Sequence, residues 1–557
     1  MGTKTLFIIF VSFIFLAVSC GKHKSAEKDF RRAKIFEQDV KGNIVSPLNI
    51  KEFEGQWHFQ DRELDGVFGV SAKKFYSTLG QAPLKKIIVA VIDSGVDIHH
   101  QDLKGRIWTN PDEIPGNGID DDANGYVDDI HGWNFLGNSE GDNLVEDTLV
   151  ATRIYKRILT KIENDEELDE YEAENFSLLE AIVLQNREHF QKRFTEISQH
   201  INKVAQHLEL LKILAGMDNI NKREQIESIQ PKNDFVALIK TELLDIWDQY
   251  HNGFSGMKKA REMAKYYVQV GYNPEYDLRS KIVGDNPIDF QDKSYGNNDV
   301  IGPDATHGTT VAGVIAAQFN NETKSRGLTS EVMIMPLRAI PKGDERDKDV
   351  ALSIRYAVDN GADIINLSFG KSFSQFKTQV DAALLYAAQN NVLVIHAAGN
   401  ESKNLEGGQS HFPNKFLLAG QGVVSQSIHK NFIEVGASTQ HDNENFVASF
   451  SNYGQSSVDF FAPGVQIQSI LPFNQYGSVS GTSIAAPIVS AMAALYLAHH
   501  PDVSVEKLIQ NLKSAVVLSE QPEVLRPTTA DQTSSLIPLS SLAAKPGVIN
   551  LVKLFNQ

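Results

Sequence analysis

Four short runs of apolar, largely β-branched residues constrain this chain more than any other feature. Residues 87–92 read IIVAVI, and runs of the same kind recur at 332–337, 364–369 and 392–397. A strand with one wet face alternates apolar and polar residues; an unbroken apolar run requires cover on both faces. Helical stripes lie between the runs. Val350, Ile354, Ala357 and Val358 share one face and stop at Gly361, and Phe376, Val380, Ala383, Leu384 and Ala387 form the next. Strands alternating with helices predict an α/β fold: a doubly wound, mostly parallel sheet with helices on both faces and right-handed crossovers.

The stretch 145–285 is of a different kind. Ile201, Val204, Leu208, Leu211 and Leu214 recur at helical spacing, as do Val236, Ile239, Leu243, Ile246 and Trp247, and no strand-like run interrupts them. This predicts a large helical insertion dividing the α/β domain into 85–144 and 286–557. The acidic run 163–174 reads as a solvated helix face or loop.

Composition narrows the partners. Across 557 residues the net charge is −17, which argues against nucleic acid, whose phosphates need a basic face. At the N-terminus Lys4 precedes an apolar run over 6–18, too short to span a bilayer with margin and laid out like a secretion signal. The run ends in Ala17-Val18-Ser19-Cys20, and Cys20 is the only cysteine, so no intrachain disulfide can form. This ending resembles the lipobox of bacterial lipoproteins, although Ala17 stands where leucine is usual. The resemblance implies a signal segment 1–20, lipidation of Cys20, and a protein carried across the inner membrane and anchored at a periplasmic or cell-surface face. Residues 21–84 then form an N-terminal extension without a clear propeptide pattern.

Chemistry concentrates in three short motifs. Asp93 ends the first apolar run in Ile92-Asp93-Ser94-Gly95, at the strand edge where open parallel sheets hold their sites. His307 opens His307-Gly308-Thr309-Thr310-Val311-Ala312-Gly313, a small-residue helix, and an imidazole there can carry a proton both ways near neutral pH. Ser483 lies in Gly481-Thr482-Ser483-Ile484-Ala485-Ala486-Pro487, at a helix start where free N–H groups suit a negative intermediate. Asn400, in Ala397-Ala398-Gly399-Asn400, follows another buried strand and can offer a side-chain amide to the same charge.

Taken with Asn366-Leu367-Ser368-Phe369-Gly370 and in this order, the motifs resemble the subtilases, the subtilisin-like serine peptidases, over roughly 87–143, 285–497 and the C-terminal end. Thr310 stands where a second histidine is common, and Ile484 replaces the usual methionine. The resemblance implies a serine endopeptidase acting on polypeptides through an acyl-enzyme. In it Asp93, His307 and Ser483 form the catalytic triad and Asn400 serves the oxyanion. Ser368, Phe369 and Gly370 bind the substrate backbone as an added strand. A catalytically inactive or zymogen-locked binding module with the same fold is the alternative.

The stretch 120–129, DDDANGYVDD, puts oxygen ligands at alternate positions around Gly125. Asp120, Asp122, Asn124, the Tyr126 carbonyl, and Asp128 or Asp129 are the candidate Ca²⁺ ligands. Similar acidic loops in subtilases bind structural calcium; an acidic turn capped by its own side chains is the competing reading. The insertion returns to the chain just ahead of His307, which suggests control of substrate access or partner recruitment, with a purely structural accretion as the other option.

Overall fold

The computed structural model describes residues 56–78, 83–216, 220–250, 252–318, 325–407, 411–419, 423–528 and 534–557; the expected signal 1–20 with Cys20, and residues 21–55 of the expected extension, lie outside these. The chain divides into two compact units, one comprising the segment up to Val145 together with Arg279–Gln557, the other Glu146–Leu278.

The first unit is built on a nine-stranded sheet. In chain order its strands are β1 (Ile87–Asp93), β2 (Trp133–Asn134), β3 (Val332–Arg338), β4 (Ile364–Leu367), β5 (Leu393–Ala397), β6 (Phe432–Ser438), β7 (Phe460–Pro463), β8 (Val516–Leu518) and β9 (Gly547–Ile549). In space they run β8-β9-β7-β6-β5-β4-β1-β3-β2, all neighbours parallel except the antiparallel β8–β9 pair. The doubly wound, mostly parallel architecture expected from the four apolar runs is therefore what forms. β1 lies between β3 and β4, and six of its seven residues are buried. Each predicted run is a strand of this central set because only a strand covered on both faces removes so much apolar surface from water.

Four helices matter for the site: α1 (Thr306–Ala316), α2 (Asp347–Asp359), α3 (Lys377–Gln389) and α4 (Thr482–His499). Residues 482–498 of α4 are all buried. This is the single helix among the described residues long and apolar enough to cross a membrane, and here it serves as the core helix of the sheet. The described part of the N-terminal extension joins the same core. Phe59, Phe68, Val70 and Phe75 pack with β1, α1 and α4. Trp57 Nε1 donates to Val465 O at 2.9 Å, and the Tyr76 hydroxyl donates to Leu328 O at 2.6 Å.

The second unit is helical, with Val150–Glu163, Glu170–Ala215, Asp234–Asp248 and Gly253–Tyr266 as its main elements. Val204, Leu211, Val236, Ile239, Leu243 and Ile246 meet in its core, whereas Leu214 at the end of the expected stripe is 39% exposed. The acidic run is not uniformly solvated. Asp169 caps the long helix in a capping box with Glu172, and the buried Glu172 carboxylate meets Arg157 at 3.0 Å and Lys161 at 2.7 Å. Burial alone would raise its pKa, but these partners and the Asp169 N–H hold it below the usual range.

Candidate active site

Asp93 and His307 are brought together by the approach of α1 to the end of β1. A Cβ on Gly308 would stand 2.1 Å from Gly95 O and 3.1 Å from Asp93 Cβ, so only glycine lets the first turn of α1 come this close. His307 Nδ1 then lies 2.7 Å from Asp93 Oδ1, which also accepts from Ser94 N at 2.7 Å. With Nδ1–H bound to a carboxylate, the tautomer is set and Nε2 is left as the base; it is buried and makes no hydrogen bond among the described residues. Burial disfavours the charged imidazole. The Asp93 charge and hydrogen bond, helped by Asp304, outweigh that, and the His307 pKa is raised above its ordinary 6.5.

Ser483 is the second residue of α4, buried, and its Oγ also has no hydrogen-bond partner among the described residues. The position a Cβ would take on Gly481 lies 2.9 Å from Ser483 Oγ and 3.7 Å from Asn400 Nδ2. The hydroxyl and the amide nitrogen therefore border one small space. The Asn400 amide cannot rotate away: its Oδ1 accepts from Thr482 N at 2.9 Å and from Thr482 Oγ1 at 3.1 Å. Its carbonyl end is spent on α4, which turns the NH₂ end toward Ser483. Asn452 secures the loop below, donating to Ala398 O at 2.8 Å and accepting from Glu401 N and Lys403 N.

Sequence reading lays the backbone of Ser368, Phe369 and Gly370 along substrate, and the Ser368 side chain is engaged on the other side, with α4. Pro487 sits inside α4 and has no N–H to give to the carbonyl four residues earlier, that of Ser483. Ser368 Oγ supplies the missing donor at 2.9 Å, and accepts in turn from Asn366 Nδ2 at 2.9 Å. Asn366 Oδ1 completes the chain by accepting from Ser490 Oγ at 2.8 Å. Ser368 thus holds the backbone of Ser483. Phe369 and Gly370 follow the end of β4, half-buried and exposed respectively.

In the acidic loop, the carboxylates of Glu113, Asp120 and Asp122 converge, with one oxygen from each within 4.8 Å of the others. Glu113 was not among the sequence candidates. Its Oε1 accepts from Asp121 N at 2.8 Å, while Oε2 is buried without a partner, an orphaned charge of the kind a hard cation satisfies. Burial raises the Glu113 pKa, and the nearby Asp129 and Asp122 charges act in the same direction against two backbone hydrogen bonds. Asn124 joins Asp122 and Asp129 through its amide, at 3.0 and 3.1 Å. Asp128 is turned away to cap the 116–118 turn, accepting from three backbone N–H groups. Asp129 accepts from Asn110 and from the Tyr356 hydroxyl. The Tyr126 ring packs on Trp133 and Tyr356. The donor set around Glu113, Asp120 and Asp122 fits calcium.

Comparison with known proteins places the chain in a family. A family model described as the subtilase family matches residues 84–534. A thermophilic serine proteinase of Bacillus sp. (strain AK1) is 37% identical over 250 residues, covering 45% of this chain and 54% of that protein. A cell wall-associated protease of Bacillus subtilis (strain 168) is 34% identical over 42% of this chain and 24% of its own length. Thermitase of Thermoactinomyces vulgaris is 34% identical over 43% of this chain and 80% of that protein. The chain thus spans about half, or less, of the first two relatives. Among solved structures, a cold-adapted subtilisin-like serine proteinase aligns at 27% identity and a TM-score of 0.34, over 45% of this chain and 77% of the other.

Proposed function

The chain belongs to the subtilase family, and from that premise we propose that it is a serine endopeptidase whose triad is Asp93, His307 and Ser483. One observation carries the reading: His307 is locked on Asp93 through Nδ1, while His307 Nε2 and Ser483 Oγ are left unbonded and buried. Ser483 Oγ attacks a peptide carbonyl and His307 Nε2 takes its proton, then returns it to the leaving amine. Asp93 stabilises the imidazolium formed in between. The negative oxygen of the tetrahedral intermediate is held by Asn400 Nδ2 and by the Ser483 N–H in the first turn of α4. The substrate backbone pairs along Ser368, Phe369 and Gly370, while the Ser368 side chain holds Ser483 from behind. Polypeptides are the substrates. Glu113, Asp120, Asp122 and Asn124 hold a structural calcium ion, which neutralises their mutual repulsion and stiffens the loop after β1. Cys20 carries the lipid that tethers the enzyme at a periplasmic or cell-surface face.

Casein cleavage by the purified protein, with calcium present and alongside Ser483→Ala, tests the central claim. Cleavage and labelling by a serine-directed organophosphonate are both expected to vanish in the variant. A folded protein that neither cleaves nor labels overturns the proposal in favour of a binding module.

A further inference from the structure

A second cluster of chemically capable side chains lies beneath the loops that flank Ser483. His396 on β5 is fully buried; its Nδ1 lies 2.9 Å from Glu434 Oε1 on β6, and its Nε2 lies 2.7 Å from Phe369 O. His411 is 7% exposed, its ring centroid is 5.1 Å from that of His396, and its Nε2 donates to Ala397 O at 3.0 Å. One nitrogen of each imidazole and one Glu434 oxygen lie within 4.8 Å of one another. Beside them is a cavity of about 10 Å³, bordered by His411, Glu434, Asn414 and Lys415. That is room for a single body of about the size of a water molecule. The ammonium of Lys415 is directed at Asp459, 3.2 Å away, which offsets its charge.

We propose that His396, His411 and Glu434 form a binding site for a divalent transition metal of the Zn²⁺ class, separate from the calcium loop and from the catalytic residues. Two imidazoles and a carboxylate are the donor set such a metal prefers over hard cations. Histidines that ligate through one nitrogen typically donate the other N–H to a carbonyl or carboxylate, which fixes the ring. Both rings meet that condition, with Nε2 on Phe369 O and on Ala397 O, which leaves Nδ1 of each as the nitrogen to ligate. The backbone leaves room for this arrangement. A Cβ on Gly370 would stand 2.2 Å from His411 Cε1, and one on Gly399 would stand 2.9 Å from it. In the absence of metal His396 Nδ1 and Glu434 Oε1 meet directly at 2.9 Å, and the ion takes the place between them. Because the two carbonyls belong to the Phe369 and Ala397–Asn400 segments, the bound ion ties both walls of the substrate site to β5 and β6.

The test uses the full-length chain carrying Ser483→Ala to prevent self-digestion, saturated with calcium and titrated with Zn²⁺ against a chromophoric chelator. One tight zinc ion per chain is expected, with affinity reduced by roughly 10–100-fold or more in Glu434→Gln and in His411→Ala, and unchanged in His441→Ala at an exposed histidine. X-ray absorption of the singly loaded protein, which needs neither cluster variant to fold, is expected to show two imidazole nitrogens and a carboxylate oxygen at about 2.0–2.2 Å. No zinc bound more tightly than at exposed histidines, affinity indifferent to both cluster variants, or an all-oxygen shell would each overturn the proposal.

Discussion

The two units of this chain are stabilised by different means. The sheet unit buries residues 482–498 of its central helix and sets the polar side chains of Ser368, Asn400 and Ser490 in specific hydrogen bonds along it. The unit Glu146–Leu278 relies on helical stripes meeting in an aliphatic core, with ion pairs such as Lys203–Glu242 (2.8 Å) and Arg223–Asp248 (2.8 Å) on partly exposed surfaces. Exposed pairs of this kind contribute little, because water and salt screen them and holding two long side chains together costs entropy. Buried polar groups in the sheet unit cannot be lost so cheaply, because a donor or acceptor left without a partner there costs about 1–3 kcal/mol. The lesson is that the sheet unit uses buried polarity to fix atoms to within a bond length, while the helical unit needs only amphipathic fit.

Substitutions can break this contrast or sharpen it. The largest effect is expected at Asn400. Asn400→Ala removes the amide beside Ser483 and should lower kcat by roughly 10²–10³-fold with little change in KM; a loss below tenfold in steady-state kinetics takes Asn400 out of the oxyanion site. Next comes Leu211→Ala, which opens the core of the helical unit and should cost that unit about 2–5 kcal/mol by chemical denaturation. Hydrolysis of a short peptide should be unaffected. A change in the ratio of folded-protein to short-peptide cleavage would instead show that this unit controls access.

Calcium removal should act on the sheet unit alone. At a free concentration of about 100 Kd the ion contributes roughly 2.7 kcal/mol, so chelation should lower the melting temperature of that unit, and Glu113→Gln should shrink the shift. A melt indifferent to chelation would dismiss the calcium site. The smallest effect is in the pH profile. Only neutral His307 can accept the serine proton, and its pKa is raised, so kcat/KM should fall as pH drops through a midpoint above 6.5. Asp93→Asn removes the raising charge and should move that midpoint down, along with its large loss of rate. A midpoint unmoved in the variant would mean that another group governs the profile.

Much of the site was legible because its residues sit at punctuation marks of the fold. Asp93 ends an apolar run, while His307 and Ser483 stand in the first turns of small-residue helices. What escaped sequence reading depended on contacts distant in the chain. Glu113 lies outside the alternating pattern of 120–129, and only the intervening turn returns it to Asp120 and Asp122. The positioning role of Ser368 requires knowing that Pro487 deprives Ser483 of a donor and that Ser368, 115 residues away in sequence, replaces it. β6 was unmarked as a run because Glu434 interrupts its apolar residues, a charge tolerated only because His396 faces it.

The sequence alone determined the layer architecture, since unbroken apolar strands have no stable home but a sheet covered on both sides. It also marked the helical interruption and the order of the motifs that carry the candidate site. Tertiary structure alone decided which lone pairs are spent and which are left for chemistry. Periodicity records which face of an element is buried; it carries no record of the partner that a buried donor or acceptor meets there, and catalysis depends on that partner.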